Sequence, residues 1–197
     1  MSLPSILVVM ALPAESAGVF EAAAVPVLYC GVGKVNAAMA LTRALCRYSH
    51  AGQAAPLVVN FGSAGSHVHG AGALLACHEF VQRDMDVRGL GFEIGVTPFD
   101  ESPAWLRFDP VFTHLHAAVC GSGDSFVTGP GAQHLDVVDM EAYALAKVCW
   151  IEKARFACVK YVTDGADHEA AEHWQSNVHR AAEEFLGLYR MLESPGN

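Results

Sequence analysis

Basic residues are scarce. Lys and Arg together number 12 in 197 residues, against 21 Asp and Glu, which leaves a formal net charge of −9. None occurs between Met1 and Gly33, and nowhere do they cluster. Binding nucleic acid by phosphate neutralisation needs such a cluster, so that partner class is excluded. No apolar run approaches the roughly 18 residues of a membrane span. The first residues lack the positive region of a secretion signal and read as the start of a strand. The six Cys include no Cys-x-x-Cys pair, and most lie in apolar segments. Buried free thiols in a cytoplasmic protein are the expectation, although the count alone allows disulfides. A phosphate loop and a Gly-x-Ser-x-Gly nucleophile elbow are both missing. No repeat or low-complexity linker divides the chain, and its length suits one well-cored domain over 1–197.

What is present is a chain that is 52% hydrophobic and 17% charged, with much of the apolar share in Ala. Short apolar runs at 5–10, 25–30, 57–61, 73–82, 114–120 and 156–162 read as strands. A helix is expected near 11–21, where Pro13 and Glu15 stand early in the segment. A second is expected over 35–50, with Val35, Ala38, Met39, Thr42, Leu45 and Cys46 along one face. Others are expected at 101–108, after Val137-Val138, and at 173–192. Gly129-Pro130-Gly131 reads as a turn and 194–197 as a tail. Strands alternating with helices through short loops indicate one α/β domain around a parallel or mixed sheet.

The polar residues concentrate where strands end. Glu15, Glu141 and Asp164 each follow one, as do the small-residue loops 31–36, 62–66 and 121–127. In an open α/β fold all of these converge on the carboxyl edge of the sheet, where ligands bind. Plainer readings stand beside each. Glu15 can be a helix-dipole partner, Ser63 a helix cap in a tight turn, and Asp139 with Glu141 a solvated loop. Acid–base chemistry needs carboxyls in different protonation states, and partial burial near a strand end supplies that difference. Three carboxylates can also hold a divalent metal. His67 and His69 are spaced like same-face strand neighbours but lack an obvious third ligand, so neither metal nor cofactor is expected.

Five motifs occur in order: Gly31-Val32-Gly33-Lys34-Val35-Asn36-Ala37-Ala38, Gly62-Ser63-Ala64-Gly65, Ser122-Gly123-Asp124-Ser125-Phe126-Val127, Val138-Asp139-Met140-Glu141, and Val162-Thr163-Asp164-Gly165-Ala166-Asp167. Together they resemble the nucleoside phosphorylase/nucleosidase superfamily over nearly the whole chain. Within it the chain is most similar to the 5′-methylthioadenosine/S-adenosylhomocysteine nucleosidases. The resemblance implies a three-layer α/β/α fold with a central mixed sheet, and hydrolysis of a purine nucleoside's N-glycosidic bond. It implies that Glu15 activates water and Asp164 protonates the leaving base. It further implies that Glu141 binds the ribose hydroxyls, Met140 lines the sugar, Phe126 stacks on the base and the Val127 backbone reads the base edge. Ser63 would lie near the water or sugar. Lys160 stands where the family usually has Arg, four residues before the acid, and is taken as a substrate-binding residue. The resemblance also implies a homodimer whose neighbour closes the 5′ side of the pocket.

Several features leave the activity open. Phosphorolysis needs Arg or Lys for phosphate. The sequence has none before Lys34 or between Pro56 and Gly70, which favours water, but Lys34 and Arg43 remain candidates. The chain is short at 100–119 and 127–137, and Tyr143 follows Glu141 where the family prefers a small residue. Another adenosine derivative is therefore a possible substrate, with Phe108 and Phe112 as contributors to the 5′ side or as plain core. A non-catalytic nucleoside-binding module is the alternative of a different class; it would predict the loss of an acid.

Overall fold

The computed structural model describes residues 3–129 and 135–193. In chain order the elements are β1 (Ile6–Met10), α1 (Pro13–Ser16), α2 (Val19–Ala22), β2 (Val27–Tyr29), α3 (Lys34–His50), β3 (Leu57–Gly65), β4 (Leu74–Gln82), β5 (Trp105–Arg107), β6 (His116–Ser122), β7 (Val137–Asp139), α4 (Ala142–Glu152), β8 (Phe156–Asp164), α5 (Ala170–Asn177) and α6 (Ala182–Glu193). Pro130 and Gly131 of the expected turn, and the expected tail, lie outside the described residues.

The strands form one mixed sheet in the order β2-β1-β3-β7-β6-β4-β5, with β8 pairing both β3 and β4. β1 and β8 run parallel to β3, whereas β4 is antiparallel to β8. At its far end β3 reaches β7 through Gly65 opposite Val138. Strands β3, β8, β4, β6 and β7 thus return on themselves. Alternation along the strands feeds two cores. Val9, Val58 and Phe156 face α3 and α4 on one side, while Val8, Val59 and Phe61 face α2 and α6 on the other. The second core is aromatic: Phe61 stacks on Phe185 with ring centroids 5.0 Å apart and also meets Phe20 and Phe112. Buried side chains of this size contribute about 1.5–3 kcal/mol each. Helices on both faces of a mixed sheet make the three-layer α/β/α architecture.

Four local expectations change. Residues 105–107 form a strand, not a helix, because Trp105-Leu106-Arg107 alternates exposed, buried, exposed and Leu106 pairs opposite Phe80. The C-terminal helix is two helices, α5 and α6, separated at 178–181. β3 runs on through Gly62-Ser63-Ala64-Gly65 because β8 pairs with it along that length. The core-facing side of α3 is Ala37, Leu41, Ala44, Leu45 and Tyr48, which leaves Val35 76% and Met39 46% exposed.

Candidate active site

The ends of β1, β3, β6, β7 and β8 surround one cavity of about 290 Å³. Glu15, Ser63, Phe126, Val127, Met140, Glu141 and Asp164 all line it. The three carboxylates are almost fully buried, and each is held differently.

Glu15 stands in the single turn of α1, just past β1. Its Oε2 accepts the N–H groups of Ala11 (2.8 Å) and Leu12 (3.1 Å). Its Oε1 accepts the Ser63 N–H (2.9 Å) and the Ser63 hydroxyl (3.0 Å). Every contact is a donor, the pattern that suits an ionised carboxylate.

Asp164 ends β8. The β3–β8 register shifts between Ala64 and Gly65, a bulge of the kind that re-aims a side chain at a site edge. Oδ1 accepts the Ala166 N–H at 2.9 Å, and Oδ2 lies 2.8 Å from the Thr163 hydroxyl. That hydroxyl is also 3.3 Å from the Ala64 carbonyl. When Thr163 donates to Ala64, its oxygen can accept a proton carried on Oδ2; when it turns, it donates to an ionised Asp164. A Cβ at Gly65 would come within 2.7 Å of Oδ1, so only glycine leaves this carboxyl its place.

Glu141 precedes α4, and its Oε1 accepts the Gly33 N–H at 2.8 Å. Gly33 has φ +92°, which aims that N–H across the cavity. Burial, then the negative charge of Asp139, push the Glu141 carboxyl up to about 8, against the opposing pull of Lys160 and the Gly33 N–H. The folded protein therefore holds a proton on Glu141 to higher pH than the unfolded chain does. Because the folded state keeps this proton more tightly than the unfolded chain, the contribution of this one group to stability is fully present below about 4.5 and is lost as pH rises through about 8. Glu141→Gln is expected to remove this dependence. The wild-type melting temperature should fall relative to the variant's between pH 5 and 9, and parallel curves would refute the assignment.

Lys160 is not among the residues that line the cavity. It is 1% exposed, with Nζ 2.8 Å from Asp139 Oδ2. Burial would raise Asp139, but the Lys160 ammonium holds it below its usual range. Burial would lower Lys160, but the Asp139 carboxylate raises it well above its usual value. Asp139 also accepts the Ser122 hydroxyl and the Ala142 N–H (2.9 Å). Removing one partner of such a pair strands the other's charge in the interior, which typically costs about 3–5 kcal/mol. The pair fixes the β7–α4 junction, and hence Glu141.

Tyr143 packs in the core with α4 and does not line the cavity. Phe112 is buried and tilted against Phe61, and the half-buried Phe108 meets Phe80 and Phe156 edge-on. His69 follows β3 in a turn, with Nε2 4.0 Å from Asp136. Among the described residues no three His, Cys, Asp or Glu are grouped to hold a metal.

The wall residues that sequence reasoning missed include Arg83 and Trp174. Arg83 directly follows a strand, as the other site residues do. Its guanidinium donates to the Ser125 carbonyl, the Gly123 carbonyl (3.3 Å) and the Ser125 hydroxyl (3.2 Å), bracing the loop that presents Phe126. Trp174 is on α5 and donates its indole N–H to the Ser63 hydroxyl at 3.0 Å.

A family model described as the phosphorylase superfamily matches residues 17–192. The chain belongs to the phosphorylase superfamily. A 5′-methylthioadenosine/S-adenosylhomocysteine nucleosidase of Marinomonas sp. (strain MWYL1) is 31% identical, over 89% of this chain and 84% of that protein. One of Haemophilus ducreyi is 33% identical, over 83% and 74%. Solved superfamily structures share the fold. A Helicobacter pylori nucleosidase mutant with 5′-methylthioadenosine in its active site superposes with a TM-score of 0.83 at 19% identity, covering 97% of this chain and all of that one. A futalosine hydrolase mutant of the same organism superposes with a TM-score of 0.79 at 20% identity, covering 94% and 98%.

Proposed function

We propose that this protein is a purine nucleosidase that hydrolyses the N-glycosidic bond of a 5′-modified adenosine, of the methylthioadenosine or adenosylhomocysteine type for which its relatives are named. The observation that carries the reading is the pair Glu15 and Asp164 on one cavity, the first surrounded by donors and the second able to hold or release a proton. Glu15, with Ser63, orients a water and takes its proton as the oxygen bonds to the anomeric carbon. Asp164 gives a proton to the purine as the carbon–nitrogen bond breaks. The oxocarbenium character of the transition state is stabilised by the nearby carboxylate. Glu141 engages the ribose hydroxyls against Met140, Phe126 stacks on the base, and the Val127 backbone reads its edge.

Water is favoured over phosphate because the nearby cations are engaged. Lys34 Nζ lies 2.5 Å from Asp84 and 3.7 Å from Asp124, and Arg83 is committed to the 123–125 loop. Arg43 is exposed on α3 and off the cavity wall. Incubation with methylthioadenosine, adenosylhomocysteine, adenosine and inosine in phosphate-free buffer tests the reading. Release of adenine from the 5′-thio substrates is expected; binding without release from any of them would favour a nucleoside-binding module.

The reading includes a homodimer. Val32, Val35 and Met39 form an exposed apolar stripe, and Val32 is itself on the cavity wall. Sedimentation equilibrium is expected to give twice the chain mass of 21.0 kDa, and a monomer at micromolar concentration would contradict it. The six free cysteines support a cytoplasmic setting. Among the described residues no helix is long and apolar enough to cross a membrane.

A further inference from the structure

Trp174 does more than cover the cavity. A serine hydroxyl has one proton and two lone pairs, whereas an indole N–H can only donate. Trp174 Nε1 lies 3.0 Å from Ser63 Oγ, so it occupies one of the serine's lone pairs. Glu15 Oε1 lies 3.0 Å from the same oxygen. Of the four donors that reach Glu15, three are backbone N–H groups fixed by the chain, and the Ser63 hydroxyl alone can rotate away. A neighbour that can only donate to Ser63 leaves the serine's proton for an acceptor, and Glu15 is the acceptor in place.

We propose that Trp174 is a positioning residue for the reaction. Its indole N–H fixes the direction of the Ser63 hydroxyl, which in turn holds the Glu15 carboxylate and the water it activates in line with the sugar. The proposal rests on the hydrolase reading above. The placement of α5 supports it. The same short helix is tied to β8, where Asn177 Nδ2 donates to the Thr163 carbonyl at 2.8 Å, next to Asp164. One helix is thus anchored beside the water-activating acid and beside the proton-donating one.

An aromatic that only walled the cavity would tolerate phenylalanine. Trp174→Phe keeps the apolar ring and deletes the N–H. It is expected to lower kcat about fivefold to tenfold, the size of one lost hydrogen bond, with KM changed less than about twofold. In a Ser63→Ala background the same substitution is expected to have no further effect on kcat, because the residue it acts through is gone. A second readout needs no turnover. The proton–nitrogen NMR signal of the Trp174 indole, assigned by its loss in Trp174→Phe, is expected to move in Ser63→Ala and also in Glu15→Gln. If the wild type releases no base, the hydrolase reading fails and the indole signal still decides the relay. An indole signal unmoved by Ser63→Ala, or a full additional loss of kcat in that background, overturns the proposal.

Discussion

Asp164→Asn is expected to slow base release by about 10²–10⁴-fold while leaving the fold intact, the range that loss of one positioned proton donor covers. The substitution keeps size and shape. Its amide oxygen can still accept the Ala166 N–H, and the side chain still fits the space beside Gly65. Its NH₂ group meets the Thr163 oxygen, which is free to accept once Thr163 donates to the Ala64 carbonyl. Every hydrogen bond has a replacement, so the melting temperature should stay within a few degrees of wild type. What the substitution removes is the carboxyl's capacity to deliver a proton in the proposed reaction. Turnover within a few-fold of wild type, measured by adenine release, would remove Asp164 from its role.

Glu15→Gln is expected to lose activity over a similar range, and to lose stability as well. The contrast follows from the surroundings. Four donors converge on Glu15, two at each oxygen. A glutamine must turn its NH₂ toward one of those pairs, so backbone N–H groups lose their acceptor and face another donor. Leaving a buried polar group unsatisfied costs about 1–3 kcal/mol. In a domain of this size that lowers the melting temperature by about 3–10 °C. Adenine release and thermal melting of the two variants, measured side by side, separate the two proposed roles. Equal melting temperatures with equal loss of activity would contradict the assignment of Glu15.

The strand-end acids were legible because β1 and β8, and the β7–α4 junction, are short apolar stretches interrupted by a carboxylate where an apolar residue would pack. The glycines at 33 and 65 were legible as loop or turn residues, but not their purposes. Gly33 turns an N–H toward Glu141 and Gly65 makes room for Asp164, and both partners are distant in sequence. The surroundings of Lys160 were hidden for the same reason. Its position before Asp164 suggested contact with substrate, whereas its charge is used by Asp139, a partner no local pattern reveals. Trp174 falls in phase with Val178, Ala182, Phe185 and Tyr189, so nothing in the pattern of a single helix over 173–192 sets it apart. The break at 178–181 instead turns α5 toward the cavity. On α3 two apolar faces compete, and the one that carries Ala37, Leu41, Ala44 and Tyr48 is the one buried.

The most direct test of the account is the identity of the sugar released from methylthioadenosine in the presence of saturating phosphate. Mass analysis is expected to find free 5-methylthioribose, formed at the same rate as in phosphate-free buffer. A sugar 1-phosphate, or a rate that depends on phosphate, would contradict the hydrolytic role assigned to Glu15 and the water it holds.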